Sequence, residues 1–152
     1  IAPAVGYATP RGATLPPSVA ERLIDLQELG PEAFAKARSA RLVFDAGNRP
    51  AVLAATVQAM AGVRDPGYTQ ASRMLASADL YSEAARVSCP THVICGTEDL
   101  ITPPLNARRL HEALAAAAPG SSHRFDLVPA AGHAICLEKP GELARLIGER
   151  QP

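Results

Sequence analysis

What this chain lacks narrows its function before any motif is considered. It has no excess of either charge, with 15 basic against 15 acidic side chains and no long like-charged run. That removes the electrostatic reason to expect nucleic acid or an anionic membrane surface as a partner. No apolar run approaches the roughly 20 residues needed to cross a bilayer. Cysteine is scarce: Cys89, Cys95 and Cys136 are an odd set in or beside apolar stretches, which is not a disulfide framework. A reducing, cytoplasmic setting is the expectation. No secretory leader and no internal repeat are visible. The chain opens at Ile1 without a methionine, so its natural start is expected further upstream.

What is present is ample apolar material, 47% of 152 residues, for a core. Ile1 to about Thr14 reads as the end of a strand running into a Gly- and Pro-rich loop. Pro16-Pro17-Ser18 signals a helix, with Leu23, Ile24 and Leu26 at helical spacing. Gly30 can close it, and Pro31 suits the first turn of the next helix, predicted over Glu32–Asp45 with Phe34, Leu42 and Phe44. Pro50–Ala61 is a third helix. Asp65-Pro66 reads as an N-cap followed by Pro at the first helical position of a fourth. Asp79–Ala85 is a short fifth. The pattern then changes. Thr91–Cys95 and Arg124–Val128 read as strands, separated by a helix over Pro104–Ala118 and followed by a helix over Glu142–Glu149 with Leu143, Leu146 and Ile147 inward. Helices followed by strand–helix–strand–helix fit a helical insertion ahead of the end of a parallel sheet.

Two loop residues carry the chemistry. Asp99 follows an apolar strand and Gly96, a rigid perch from which a carboxylate can hold an imidazole in one tautomer. His133 follows Ala130-Ala131-Gly132 on the loop after the second strand, a suitable place for a general base. Taken singly, each is also what a turn aspartate or a surface histidine looks like; their order and spacing favour the pair. Cys89, His92 and Cys95 could be read as metal ligands. Residues 92 and 95 point to opposite sides of a strand, however, and no second ligand pair stands at zinc-finger spacing, so no metal is expected. His92 reads instead as a core or strand-edge histidine with a backbone partner, and His111 and His123 as surface residues. Glu138 is placed to bind the free N–H groups at the start of the last helix. Tyr68 and Arg41 could face a substrate, with core packing and solvent as their plainer fates.

From about residue 87 the sequence resembles the C-terminal part of an α/β-hydrolase. Val87-Ser88-Cys89-Pro90-Thr91, the strand through Cys95, and Gly96-Thr97-Glu98-Asp99 resemble that family's approach to its catalytic acid. Ala131-Gly132-His133 followed by Glu138-Lys139-Pro140 resembles its histidine loop. Residues 87–152 are therefore expected to form the C-terminal part of an α/β core, 15–86 a helical cap and 1–14 the end of the strand before it. Within the family, the cap and the Gly67-Tyr68…Asp79 segment are similar to those of 3-oxoadipate enol-lactonases and their esterase-like relatives.

The resemblance implies an ester or lactone hydrolase in which Asp99 is the acid and His133 the base of a Ser…Asp…His order. Such chemistry needs no metal or organic cofactor. The family's nucleophile motif, G-x-S-x-G, occurs nowhere in the 152 residues. The nucleophile is then expected from the upstream half of the same protein, with this chain a fragment that is inactive alone. Two other readings stay open. The same scaffold supports cofactor-free haloperoxidases, C–C bond hydrolases and dehalogenases; alternatively, the chain is non-catalytic and binds a small molecule or partner. His92 sits where the family prefers an apolar residue.

Overall fold

The computed structural model describes residues 1–149. Its first helix, α1 (Pro17–Ser39), has proline at its start, where the missing N–H costs nothing. The two helices expected on either side of Gly30 run on as this one kinked element. Gly30 takes φ 72°, and Pro31 restarts the helix. The second half ends sooner than its apolar pattern predicts. A 3-10 turn covers Ala40–Leu42, Val43 is extended, and Asp45 is left-handed at φ 51°. The reason is tertiary: the Leu42 carbonyl accepts from Ala134 N–H at 2.8 Å, and Phe44 N–H donates to Glu138 Oε1 at 2.8 Å. Both groups have left the helical ladder for the histidine loop.

Helix α2 (Pro50–Met60) falls within its predicted range. Helix α3 starts at Gly67 and runs to Ser77, without the predicted cap. The Asp65 carboxylate accepts from the Thr69 hydroxyl at 2.6 Å rather than from a helix N–H. Asp79 does cap α4 (Leu80–Glu83), accepting from Ser82 N at 3.3 Å. Residues 1–10 form no regular strand. Ala2 N–H donates to Ile94 O at 2.7 Å, and Tyr7, Ala8 and Thr9 then bond to carbonyls at the end of α3.

Strands β1 (Thr91–Gly96) and β2 (His123–Val128) pair in parallel, Thr91 opposite His123 and Gly96 opposite Val128. Parallel strands need a long crossover, and α5 (Pro104–Ala117) supplies it. After β2 come a short helix that the sequence pattern did not announce, α6 (Ile135–Glu138), and α7 (Pro140–Gly148). Side chains alternate across the sheet and divide the core. Val93 and Cys95 pack with Ala84 and α5's Ala107, Leu110 and Leu114. Ile94 and Val128 pack with Ala131, Ile135, Leu143 and Leu146 on the other face. Burying a side chain the size of Ile94 contributes about 1.5–3 kcal/mol, so each face holds its helices firmly. Ile147, expected inward, lies outside this contact at 62% exposure, because Leu143 and Leu146 already complete it. Among the described residues, no helix is long and apolar enough to cross a membrane. The last three positions of the segment expected to run to residue 152 lie outside the described residues.

Candidate active site

At the carboxyl end of β1 the chain turns through Gly96-Thr97-Glu98 to Asp99. The turn is bonded to the loop leaving β2: Thr97 N–H donates to Val128 O at 3.0 Å and Glu98 N–H to Ala131 O at 2.9 Å. Thr97 Oγ1 accepts from Ala130 N–H at 3.2 Å. The two loops touch closely only because residue 96 is glycine. A Cβ there would stand 2.2 Å from Ala131 O and 2.6 Å from Gly132 O.

Asp99 is buried, with its carboxylate wholly out of solvent. Oδ1 accepts from the N–H groups of Ile101 and Thr102, both at 2.8 Å. Oδ2 accepts from the Thr102 hydroxyl at 2.8 Å and faces His133 Nδ1 at 2.9 Å. Burial pushes the carboxyl pKa up. The hydrogen bonds from His133 and Thr102, with the charge of His133, outweigh that and hold it below the ordinary value. A carboxylate that only accepts requires a donor opposite it, so Nδ1 carries a proton, and in the neutral imidazole Nε2 keeps its lone pair. Nε2 has no hydrogen-bond partner among the described residues.

Cys95 lies beneath the acid, its Sγ 4.0 Å from Asp99 Oδ2. Burial, and then the neighbouring charge of Asp99, push its thiol up to about 11. A thiol held there is not a nucleophile at neutral pH.

The histidine loop is anchored to the helical region by Glu138, whose carboxylate is wholly buried. Oε2 accepts from Gly132 N–H at 2.7 Å. Oε1 accepts from Phe44 N–H at 2.8 Å and from Arg49 Nη1 at 3.4 Å. Glu138 closes α6 and does not bind N–H groups at the start of the last helix, as the sequence suggested. Two of its partners, Phe44 and Arg49, lie far off in the chain, out of reach of a local reading. Gly132 sits where a Cβ would come 2.8 Å from Leu42 O and 2.9 Å from Phe44 N.

The remaining candidates separate. His92 Nε2 meets Asp126 at 2.6 Å, a carboxylate rather than the expected backbone partner. Parallel register puts 92 and 126 on one face of the sheet, near Arg124. His111 and His123 are half-buried rather than on the surface: His111 stacks on Phe125 with centroids 5.7 Å apart and bonds His123 O at 3.3 Å. Cys89 is exposed and Cys95 buried. Tyr68 packs edge-on against Phe34 at 5.6 Å.

His133 forms part of the wall of two cavities, of about 250 and 210 Å³, which share Arg22 and Ile101. Tyr68 and Arg41 line the second, whereas sequence reasoning missed Arg22. No serine lines either cavity among the described residues. An imidazole fixed through one nitrogen by a buried carboxylate, with the other nitrogen unpartnered and the residue lining a cavity, can accept and return a proton.

No family model and no curated protein matches this chain. Solved structures do. A thermophilic esterase from Thermogutta terrifontis, crystallised with malate, is 25% identical, with TM-score 0.71 over 90% of this chain and 51% of its own. The enol-lactonase from Burkholderia xenovorans LB400 is also 25% identical, with TM-score 0.69 over 84% of this chain and 47% of its own. An esterase from Exiguobacterium antarcticum is 16% identical, with TM-score 0.71 over 93% of this chain and 51% of its own. The chain thus spans about half the length of the structures it matches. Its fold is that of the C-terminal part of an α/β-hydrolase, and these neighbours are hydrolases, an enol-lactonase and esterases among them.

Proposed function

We propose that this chain supplies the acid and the base of a Ser-His-Asp hydrolase acting on an ester or lactone carbonyl. The observation that carries the reading is the Asp99–His133 bond at 2.9 Å at a histidine that lines a cavity and whose Nε2 has no partner among the described residues. His133 takes the proton of a serine as that serine attacks the carbonyl, and the imidazolium formed is stabilised by Asp99. His133 then returns the proton to the leaving alkoxide, and water activated by the same nitrogen releases the acid. The serine, and the backbone N–H groups that receive the oxyanion, come from the upstream half of the same protein. Three observations support this: the G-x-S-x-G motif is missing, no serine lines the cavities at His133, and the chain spans half of each neighbour. The helical region acts as a cap over the site. The reaction uses no metal or organic cofactor, and three free thiols fit a cytoplasmic setting.

A non-catalytic, ligand-binding role for the chain is the competing reading, favoured by the lack of a serine at the cavities. Labelling decides between them. The natural protein is treated with a serine-reactive fluorophosphonate, and intact mass is measured. Adduct formation on a serine outside residues 1–152, lost in His133→Ala, supports the hydrolase. A protein that takes no adduct and hydrolyses no p-nitrophenyl ester sinks it.

A further inference from the structure

The Thr102 hydroxyl stands between the two halves of the candidate pair. It lies 2.8 Å from Asp99 Oδ2 and 3.2 Å from His133 Nδ1, which are themselves 2.9 Å apart. Local sequence puts it there. Pro103 disfavours the helical region for the residue before it, and Pro104 opens α5, so the hydroxyl hangs from the stiff start of a helix. Thr102 is buried, and its carbonyl accepts from Cys95 Sγ at 3.5 Å. Its branched Cβ restricts χ1. Its N–H donates to Asp99 Oδ1 and its O–H to Oδ2, both at 2.8 Å, so one residue grips both oxygens of the carboxylate.

What the hydroxyl offers His133 follows from its single proton. Burial raises the Asp99 carboxyl, but its hydrogen bonds hold it below the ordinary value, so at neutral pH it is ionised and only accepts. The bond to Oδ2 therefore takes the hydroxyl proton, and an oxygen lone pair is left facing Nδ1. The Nδ1–H proton then has two acceptors, Oδ2 at 2.9 Å and Thr102 Oγ1 at 3.2 Å. Such a three-centre bond restrains rotation of the ring about its Cβ–Cγ bond more than a single acceptor does.

We propose that Thr102 is a positioning residue for His133: by sharing the Nδ1–H proton with Asp99, its hydroxyl holds the imidazole in the orientation that proton transfer requires. This rests on the hydrolase reading for the transfer itself. Thr102 also lines the 250 Å³ cavity, so contact with substrate is the rival role, and the test separates the two.

The natural protein and its Thr102→Val and Thr102→Ser variants are compared in hydrolysis of p-nitrophenyl acetate. Valine keeps the shape and removes the oxygen, whereas serine keeps the oxygen. Thr102→Val is expected to lower kcat about tenfold or more with KM unchanged, and Thr102→Ser to stay within about threefold of wild type. In parallel, NMR with nitrogen-15 histidine follows the His133 Nδ1–H signal, assigned by its loss in His133→Ala. That signal is expected in wild type and the Ser variant, and to be lost to solvent exchange in the Val variant. A Val variant with wild-type kcat overturns the proposal. One that raises KM and leaves kcat alone also overturns it, by making Thr102 a substrate contact. A Ser variant as slow as Val does the same, by tracing the effect to the methyl group. Should Thr102→Val fail to fold, Thr102→Ala takes its place against Ser, from which it differs by the oxygen alone; an Ala variant as fast as Ser overturns the proposal. A wild type without turnover overturns the hydrolase reading, and the hold on the ring is then judged by the Nδ1–H signal: if the Val or Ala variant retains it, that falls too.

Discussion

Replacing Glu138 tests whether the histidine loop is held as described. Its buried carboxylate satisfies two backbone donors, Gly132 N–H at 2.7 Å and Phe44 N–H at 2.8 Å. Glu138→Ala leaves both without an acceptor, at about 1–3 kcal/mol each. Arg49 loses a weaker partner at 3.4 Å but keeps Ala130 O at 3.2 Å and its place over the Phe44 ring, so its share is small. The expected loss is about 2–6 kcal/mol, a large part of a typical stability of about 5–15 kcal/mol. Glu138→Gln retains one acceptor oxygen, while its NH2 group confronts the other donor, so its loss falls between. Urea unfolding of the natural protein followed by circular dichroism gives the midpoints. Gly132 adjoins His133, so kcat should fall in both variants under conditions where they remain folded. An Ala variant within about 0.5 kcal/mol of wild type, or a Gln variant less stable than Ala, refutes the reasoning.

Asp99→Asn should keep the two loop N–H bonds at Oδ1 but present a donor to His133 Nδ1, forcing the wrong tautomer and lowering kcat by about 10³–10⁴. It should also flatten the acid limb of the stability curve. The folded pKa of Asp99 lies below its ordinary value, so its contribution is complete above that value and is lost as pH falls through the lower one. An Asn variant as acid-sensitive as wild type contradicts this. Gly96→Ala must push the Ala131 carbonyl from 2.2 Å, at a cost of about 1–3 kcal/mol or more; an unchanged melting temperature would show that the loops yield freely. With Ellman's reagent, Cys89 and Cys136 should react on mixing, and Cys95, buried and with its pKa pushed up to about 11, only after denaturation. Three prompt thiols would contradict the burial of Cys95.

Both strands, the crossover helix and the Asp99–His133 pair were legible because each is signalled locally. Pro90 and Gly96 bound an apolar run, and each site residue follows its strand by a few positions. What was not legible depends on distant partners. Nothing near Glu138 points to Phe44, 94 positions away. The early end of α1 has the same origin, since Leu42 and Phe44 bond the histidine loop instead of extending a helix that their pattern favours. The His92–Asp126 pair needed the parallel register, which the sequence does not state. Arg22 and Arg38 sit far apart on what read as two helices, and only the geometry of the Gly30 kink brings them to one cavity.

The two halves of the candidate pair are supported differently, and this has a consequence. Beyond the long Cys95 Sγ contact, the hydrogen bonds to the Asp99 carboxylate come from Ile101, Thr102 and His133. Apart from the one from His133, they come from the turn immediately after the acid, which is thus set by local chain geometry. His133 has no such local frame. Its loop is fixed through Gly132 to Glu138, through Ala134 to Leu42, and through Glu138 to Phe44. The segment from Leu42 to Arg49 therefore acts on His133 and not on Asp99. Substitutions that disturb it should shift the orientation of the imidazole while leaving the carboxylate and its depressed pKa in place. The helical region is then more than a wall of the cavity: through Leu42 and Phe44 it also sets the position of His133, the proposed base.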